Sequence, residues 1–108
     1  MRIFINFCIW LSLLPTLSEA ATLTVDRQGN LTSLKTALSM AAPGDTIIVK
    51  AGTYREGNIR ITKPVIILGE GFPIFDGEKK YEIFTLTTHD VLIRGLRFIN
   101  TGTASMDD

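Results

Sequence analysis

The side chains able to do chemistry fall into a few local groups. Asp76, Glu78 and Glu82 stand close together in the chain, and paired carboxylates are what general acid–base and nucleophilic catalysis require. They flank the stretch from Gly77 to Lys80, with Lys79 and Lys80 among them, so the pattern reads as a solvated turn. His89 beside Asp90 could serve as an acid–base or metal pair. Soft metals such as copper want Met, Cys or several His. Past residue 20 the chain offers only His89, Met40 and Met106, too few for a complete copper site. Arg60, Arg94 and Arg97 alternate with apolar residues and should point outward. They could line a groove for an acidic polysaccharide through bidentate carboxylate contacts. Keeping an exposed sheet face soluble and unpaired is the preferred reading. Tyr54 and Phe72 could stack on sugar rings, but corner packing also accounts for them. Gly69-Glu70-Gly71 is too short and too acidic to cradle a phosphate and suits a tight corner. Asn30-Leu31-Thr32 fits an N-glycosylation sequon, which matters only in a eukaryotic secretory pathway. The sequence therefore assigns no catalytic residue, no cofactor-binding residue and no metal ligand.

Those residues need a scaffold, and composition bounds it. With 108 residues the chain is one domain at most. Eleven basic residues balance eleven acidic ones, which argues against a nucleic-acid binder and its basic footprint. At 45% hydrophobic and 20% charged, the chain is too apolar and neutral to be disordered. A single cysteine excludes an internal disulfide and a multi-cysteine zinc site.

Met1 to Leu14 begins with Arg2 and continues as an apolar run from Ile3, interrupted by Asn6 and Ser12. Pro15 and then Ser18-Glu19-Ala20-Ala21 follow. A basic start, about a dozen apolar residues and a small-x-small end match a secretory signal peptide, with cleavage after Ala20. A membrane anchor is the competing reading, but a span needs about 20 apolar residues. Residues 1–20 are thus expected to be an address that sends the chain to the periplasm or outside the cell. Cys8 falls inside it, so thiol chemistry leaves with it.

Residues 21–45 read as a strand and a helix. Thr22-Leu23-Thr24-Val25 alternates polar and apolar. Leu31, Leu34, Leu38 and Ala41 recur at three- and four-residue steps, one face of a helix over about 32–42. Thr32 or Ser33 can cap its start, though no Glu or Gln follows at the capping-box position. Pro43-Gly44-Asp45 should end it, with Gly as the left-handed cap.

Residues 46–108 are short strands and bends, and they repeat. Val65, Ile67 and Gly69 recur as Val91, Ile93 and Gly95, each 26 residues later. Ile59 and Ile61 recur as Phe84 and Leu86, each 25 residues later. A unit of this length with three short strands is one coil of a parallel β-helix. Hairpin signals are sparse outside Asp76-Gly77, which weighs against a sandwich. The fold expected is all-β: a parallel β-helix of about two coils whose N-terminal helix caps the first one. Ile59, Ile61, Val65, Ile67, Phe84, Leu86, Val91 and Ile93 should stack as inward ladders. Asn100 should be a structural corner residue. The end beyond Thr101 has no apolar periodicity, and so few coils are usually insufficient. The sequence therefore reads as truncated at its C-terminus, with self-association through the open end one expected consequence.

The stretches Ser33-Leu34-Lys35-Thr36-Ala37-Leu38, Pro43-Gly44-Asp45-Thr46-Ile47, Gly52-Thr53-Tyr54-Arg55-Glu56 and Leu68-Gly69-Glu70-Gly71 resemble the opening of pectin-lyase-like right-handed β-helix proteins. Pro73-Ile74-Phe75-Asp76-Gly77 and Val91-Leu92-Ile93-Arg94-Gly95-Leu96-Arg97-Phe98-Ile99-Asn100 make the order most similar to the periplasmic NosD-type proteins of nitrous-oxide-reductase maturation. The resemblance covers about residues 22–108. It implies a non-enzymatic partner of a membrane ABC-type transporter and of the copper reductase pathway, with copper associated only through that pathway. Pectin methylesterases share Gly52-Thr53-Tyr54-Arg55-Glu56. The alternative is therefore the N-terminal segment of a secreted carbohydrate-active β-helix enzyme, an esterase or lyase, whose catalytic carboxylates would lie on later coils.

Overall fold

The computed structural model describes residues 19–102. Residues 1–18, on which most of the expected signal peptide and Cys8 fall, and residues 103–108, including Met106, lie outside the described residues. No helix among the described residues is long and apolar enough to cross a membrane.

Among the described residues nine short strands and one helix follow in order: β1 (Thr22–Val25), α1 (Leu34–Met40), β2 (Thr46–Val49), β3 (Thr53–Tyr54), β4 (Ile59–Ile61), β5 (Ile66–Gly69), β6 (Ile74–Asp76), β7 (Phe84–Leu86), β8 (Leu92–Arg94) and β9 (Arg97–Ile99). They form three sheets, ordered β1-β2-β5-β8, β3-β6-β9 and β4-β7, and every pairing is parallel. From β2 on, successive strands visit the three sheets in rotation, and each turn stacks on the one before. This is a β-solenoid of about three turns.

The repeats read from the sequence are the register of this stack. Ile59 pairs with Phe84 and Ile61 with Leu86, and Ile67 pairs with Ile93. The turn count is corrected from about two to about three. Thr22–Val25 pairs residue for residue with Thr46–Val49, so it is the first rung of the largest sheet and not merely a lead-in to the helix. The signal was missed because α1 occupies the intervening segment, and the strands of that turn have no counterparts to align.

The core runs down the solenoid axis. Val25, Ile47, Val49, Ile59, Ile61, Val65 and Ile67 are buried there. Ringed residues form a second ladder: Tyr54 pairs with Phe75, and Phe75 with Phe98. The Tyr54 and Phe75 rings stack with centroids 5.1 Å apart, and Phe84 meets Phe75 edge-on at 5.6 Å. Both arrangements are the ones ring quadrupoles favour.

The inward ladder is not uniform. Phe84, Val91 and Ile93 are half-buried, and Leu86 is 48% exposed, contrary to its expected inward place. These residues sit on the last described turn, and no described rung stacks on them. Phe98 of the same turn is exposed for the same reason, whereas Leu92 is exposed because it alternates outward, opposite to Ile93.

α1 closes the other end. Leu34, Ala37 and Leu38 are its buried face, packed on β1, β2 and β4. It is shorter than the 32–42 expected, because Ser33 takes the N-cap and accepts the Thr36 amide at 3.2 Å. The expected glycine cap is also corrected. Ala41 is the C-cap, in extended backbone, and Gly44 takes positive φ three residues later, donating its amide to the Pro64 carbonyl.

Candidate functional site

The charged side chains that the fold gathers are gathered around α1. Glu56, on the bend between β3 and β4, accepts from Ser33 Oγ and the Lys35 amide through Oε1 and from the Leu34 amide through Oε2, at 3.0–3.1 Å. It supplies from 22 residues away the carboxylate that a capping box would place within the helix, and it suits the positive helix end. At the other end the Lys63 ammonium donates to the carbonyls of Leu38 and Ala41, the complementary arrangement. Sequence reasoning missed both. Their only signal is a lone Glu and a lone Lys at coil bends, and nothing local marks them as helix caps.

Asp45 is buried and clamps two chain segments. Its Oδ1 accepts the Ala21 amide and its Oδ2 the Ala42 amide, both at 2.8 Å. Those hydrogen bonds, the Ala21 one first, hold its carboxyl below the usual range, and the Lys63 charge adds to the effect. A carboxyl depressed in the folded state stabilises fully above its unfolded-state pKa and loses that contribution as pH falls through the lower folded value. The urea midpoint should therefore drop below about pH 4, and Asp45→Asn, which cannot accept both amides, should be less stable at neutral pH with a flatter acid limb. Parallel acid limbs in the two proteins would rule out Asp45 as the acid-sensitive clamp.

The carboxylate group proposed from sequence does not converge on a catalytic pair. Asp76 Oδ1 accepts the Glu78 amide at 2.8 Å and the Asn100 side-chain amide at 3.1 Å, which hold its carboxyl low. Glu78 lies 3.9 Å from Arg55, and Glu82 accepts from the Thr85 hydroxyl. This is a hydrogen-bonded turn, as read from the sequence. Asn100 ties two adjacent turns through Asp76, so its role is structural, on the exposed surface and in left-handed backbone.

His89 and Asp90 lie exposed in the turn before β8. Among the described residues no three His, Cys, Asp or Glu side chains are grouped to hold a metal ion. Met40 sits on the exposed side of α1. Arg60, Arg94 and Arg97 do point outward, but from β4, β8 and β9, which belong to three different sheets. They cannot line one groove. Tyr54 is fully buried and donates its hydroxyl to the Lys50 carbonyl at 2.8 Å, which removes it from ligand stacking. Burial pushes its phenol pKa up. Phe72 is exposed at a corner.

A cleft of about 430 Å³ at the last described turn is lined by Phe84, Phe98, Thr85, Thr101 and Glu82 among others. Glu82 is the one carboxylate in this lining and accepts from the Thr85 hydroxyl, so no second carboxylate of the lining pairs with it for acid–base work.

No protein-family profile matches the chain, and no solved structure does. Among curated proteins it is similar to the F-box protein SKIP5 of Arabidopsis thaliana, at 42% identity over 48 residues. That stretch is 44% of this chain and only 18% of the plant protein.

Proposed function

We propose that this chain is the capping end of an exported β-solenoid scaffold of the NosD type, an accessory in copper-site maturation of nitrous oxide reductase that works beside a membrane ABC-type transporter. The observation that carries the reading is the asymmetry of the two ends. One is closed by α1 and its charged clamps. At the last described turn Leu86 and Phe98, from two of the sheets, are over 40% exposed. The stacked parallel turns offer a lateral surface to partners.

The residues that carry the NosD resemblance have folding roles here, such as Glu56 at the helix start and Tyr54 in the ring ladder. They support the architecture first and the pathway through it. The carbohydrate-enzyme alternative places its catalytic carboxylates on later coils; in this stretch Asp45, Glu56 and Asp76 are engaged with backbone amides. The likeness to the F-box protein covers too small a share of that protein to bring its activity to this chain.

The test is deletion of the gene in its own organism, followed by copper analysis of purified nitrous oxide reductase. The reading expects copper-poor, inactive reductase, restored by the gene in trans. Full copper occupancy without the gene would sink it. Export is checked separately by the mass of the processed N-terminus, which should begin at Ala21.

A further inference from the structure

We propose that the groove between α1 and β4 binds a small dianionic oxyanion of the phosphate-monoester class. The groove has a volume of about 290 Å³. Lys35 comes from the first turn of α1, Arg60 is the outward residue of β4, and Lys63 follows β4. Asn58 and Thr62 flank Arg60 along the chain and Leu38 contributes apolar wall. Alternation turns Arg60 away from the core, its sheet separates it from Arg94 and Arg97, and the groove adds Lys35 from α1 and Lys63 from the bend after β4.

None of the lining side chains is acidic. Glu56 is committed to the amides at the start of α1 and to Ser33. Among the described residues neither Lys35 nor Arg60 forms an ion pair, whereas Lys50 is held by Glu70 and Arg55 lies near Glu78. Lys63 gives two donors to the helix carbonyls, and an ammonium carries a third. Three cations lining one surface groove concentrate anions, most strongly at low salt. Coulomb attraction scales with ligand charge, so a dianion is preferred to a monoanion. The guanidinium fork matches two phosphate oxygens, the Asn58 amide and Thr62 hydroxyl can meet the others, and Leu38 can face the carbon of an ester.

The test is titration of the full chain at low salt with inorganic phosphate, glycerol 3-phosphate and acetate, read by amide chemical shifts. Saturable shifts on α1 and β4 are expected for both phosphates and not for acetate. Arg60→Gln and Lys35→Gln should each weaken binding about tenfold, one charged hydrogen bond. Arg94→Gln and Arg97→Gln should leave it unchanged, and far-UV circular dichroism should show all four variants folded. Tighter binding of glycerol 3-phosphate identifies an ester as ligand; equal binding identifies free phosphate, and both uphold the site. Absence of saturation up to on the order of 10 mM ligand, acetate binding as tightly, or an Arg94→Gln effect equal to that of Arg60→Gln would overturn it.

Discussion

Phe75→Ala should leave the protein largely without fixed tertiary structure. Phe75 is fully buried at the middle rung of the ring ladder. It stacks on Tyr54, meets Phe84 edge-on and lies 6.4 Å from Phe98, so it joins three turns of the solenoid. Truncating a buried phenylalanine costs about 3–5 kcal/mol through lost transfer energy and the cavity left behind. A single small domain holds about 5–15 kcal/mol in all. The cavity cannot collapse, because the backbone ladders above and below fix the rung spacing. Near-UV circular dichroism and a thermal melt provide the check. Loss of the near-UV signal is expected, with Phe75→Leu retaining it at reduced stability. A melting temperature within a few degrees of wild type would show that the ladder does not hold the turns together.

Gly69→Ala should come next in effect. A Cβ at Gly69 would stand 2.3 Å from the Gly95 carbonyl oxygen and 2.8 Å from Pro73 Cδ. Reciprocally, a Cβ at Gly95 would meet the Gly69 carbonyl oxygen at 2.8 Å, and Gly95 already has φ +80. Two glycines one turn apart thus allow adjacent corners to touch backbone to backbone. The obstacle is main chain on the next rung, so a side-chain rotation cannot relieve it. Overpacking of this kind costs about 1–3 kcal/mol or more, a fall in Tm on the order of 10 °C for a domain of this size. Gly95→Ala combines a milder approach with the left-handed backbone penalty of about 1–2 kcal/mol. If Gly69→Ala melts with wild type, the corners do not stack as closely as described.

How much of this was legible beforehand depended on whether the cause was periodic or singular. The pairing of Ile59 with Phe84 and of Ile67 with Ile93 was readable because stacked turns must repeat apolar residues at a fixed interval to bury a continuous core. The amphipathic face of α1 was readable for the same reason, since Leu34 and Leu38 recur at the helical period. The first rung escaped because its turn contains a helix, and a repeat of one strand in three is no pattern. Leu86 looked like core because alternation reports which way a side chain points, not whether anything lies over it.

The candidate site was less legible than the fold. The three outward arginines were recognised as outward, yet the sheets carry them to three different faces. Arg60 instead shares a groove with Lys35 and Lys63. Glu56 and Lys63 reach their helix ends across 20 or more residues, a distance over which one unrepeated charge carries no signal.

The sequence by itself determined the parallel stacking, the period of the turns and the burial of the helix face, because each follows from apolar residues recurring at a spacing that only one geometry satisfies. Only the tertiary structure decided which charges meet, which end is closed and which corners touch. Those depend on how the turns wind around one another, and a single Asp45, Glu56, Arg60 or Gly69 acquires its partner only once that winding is complete.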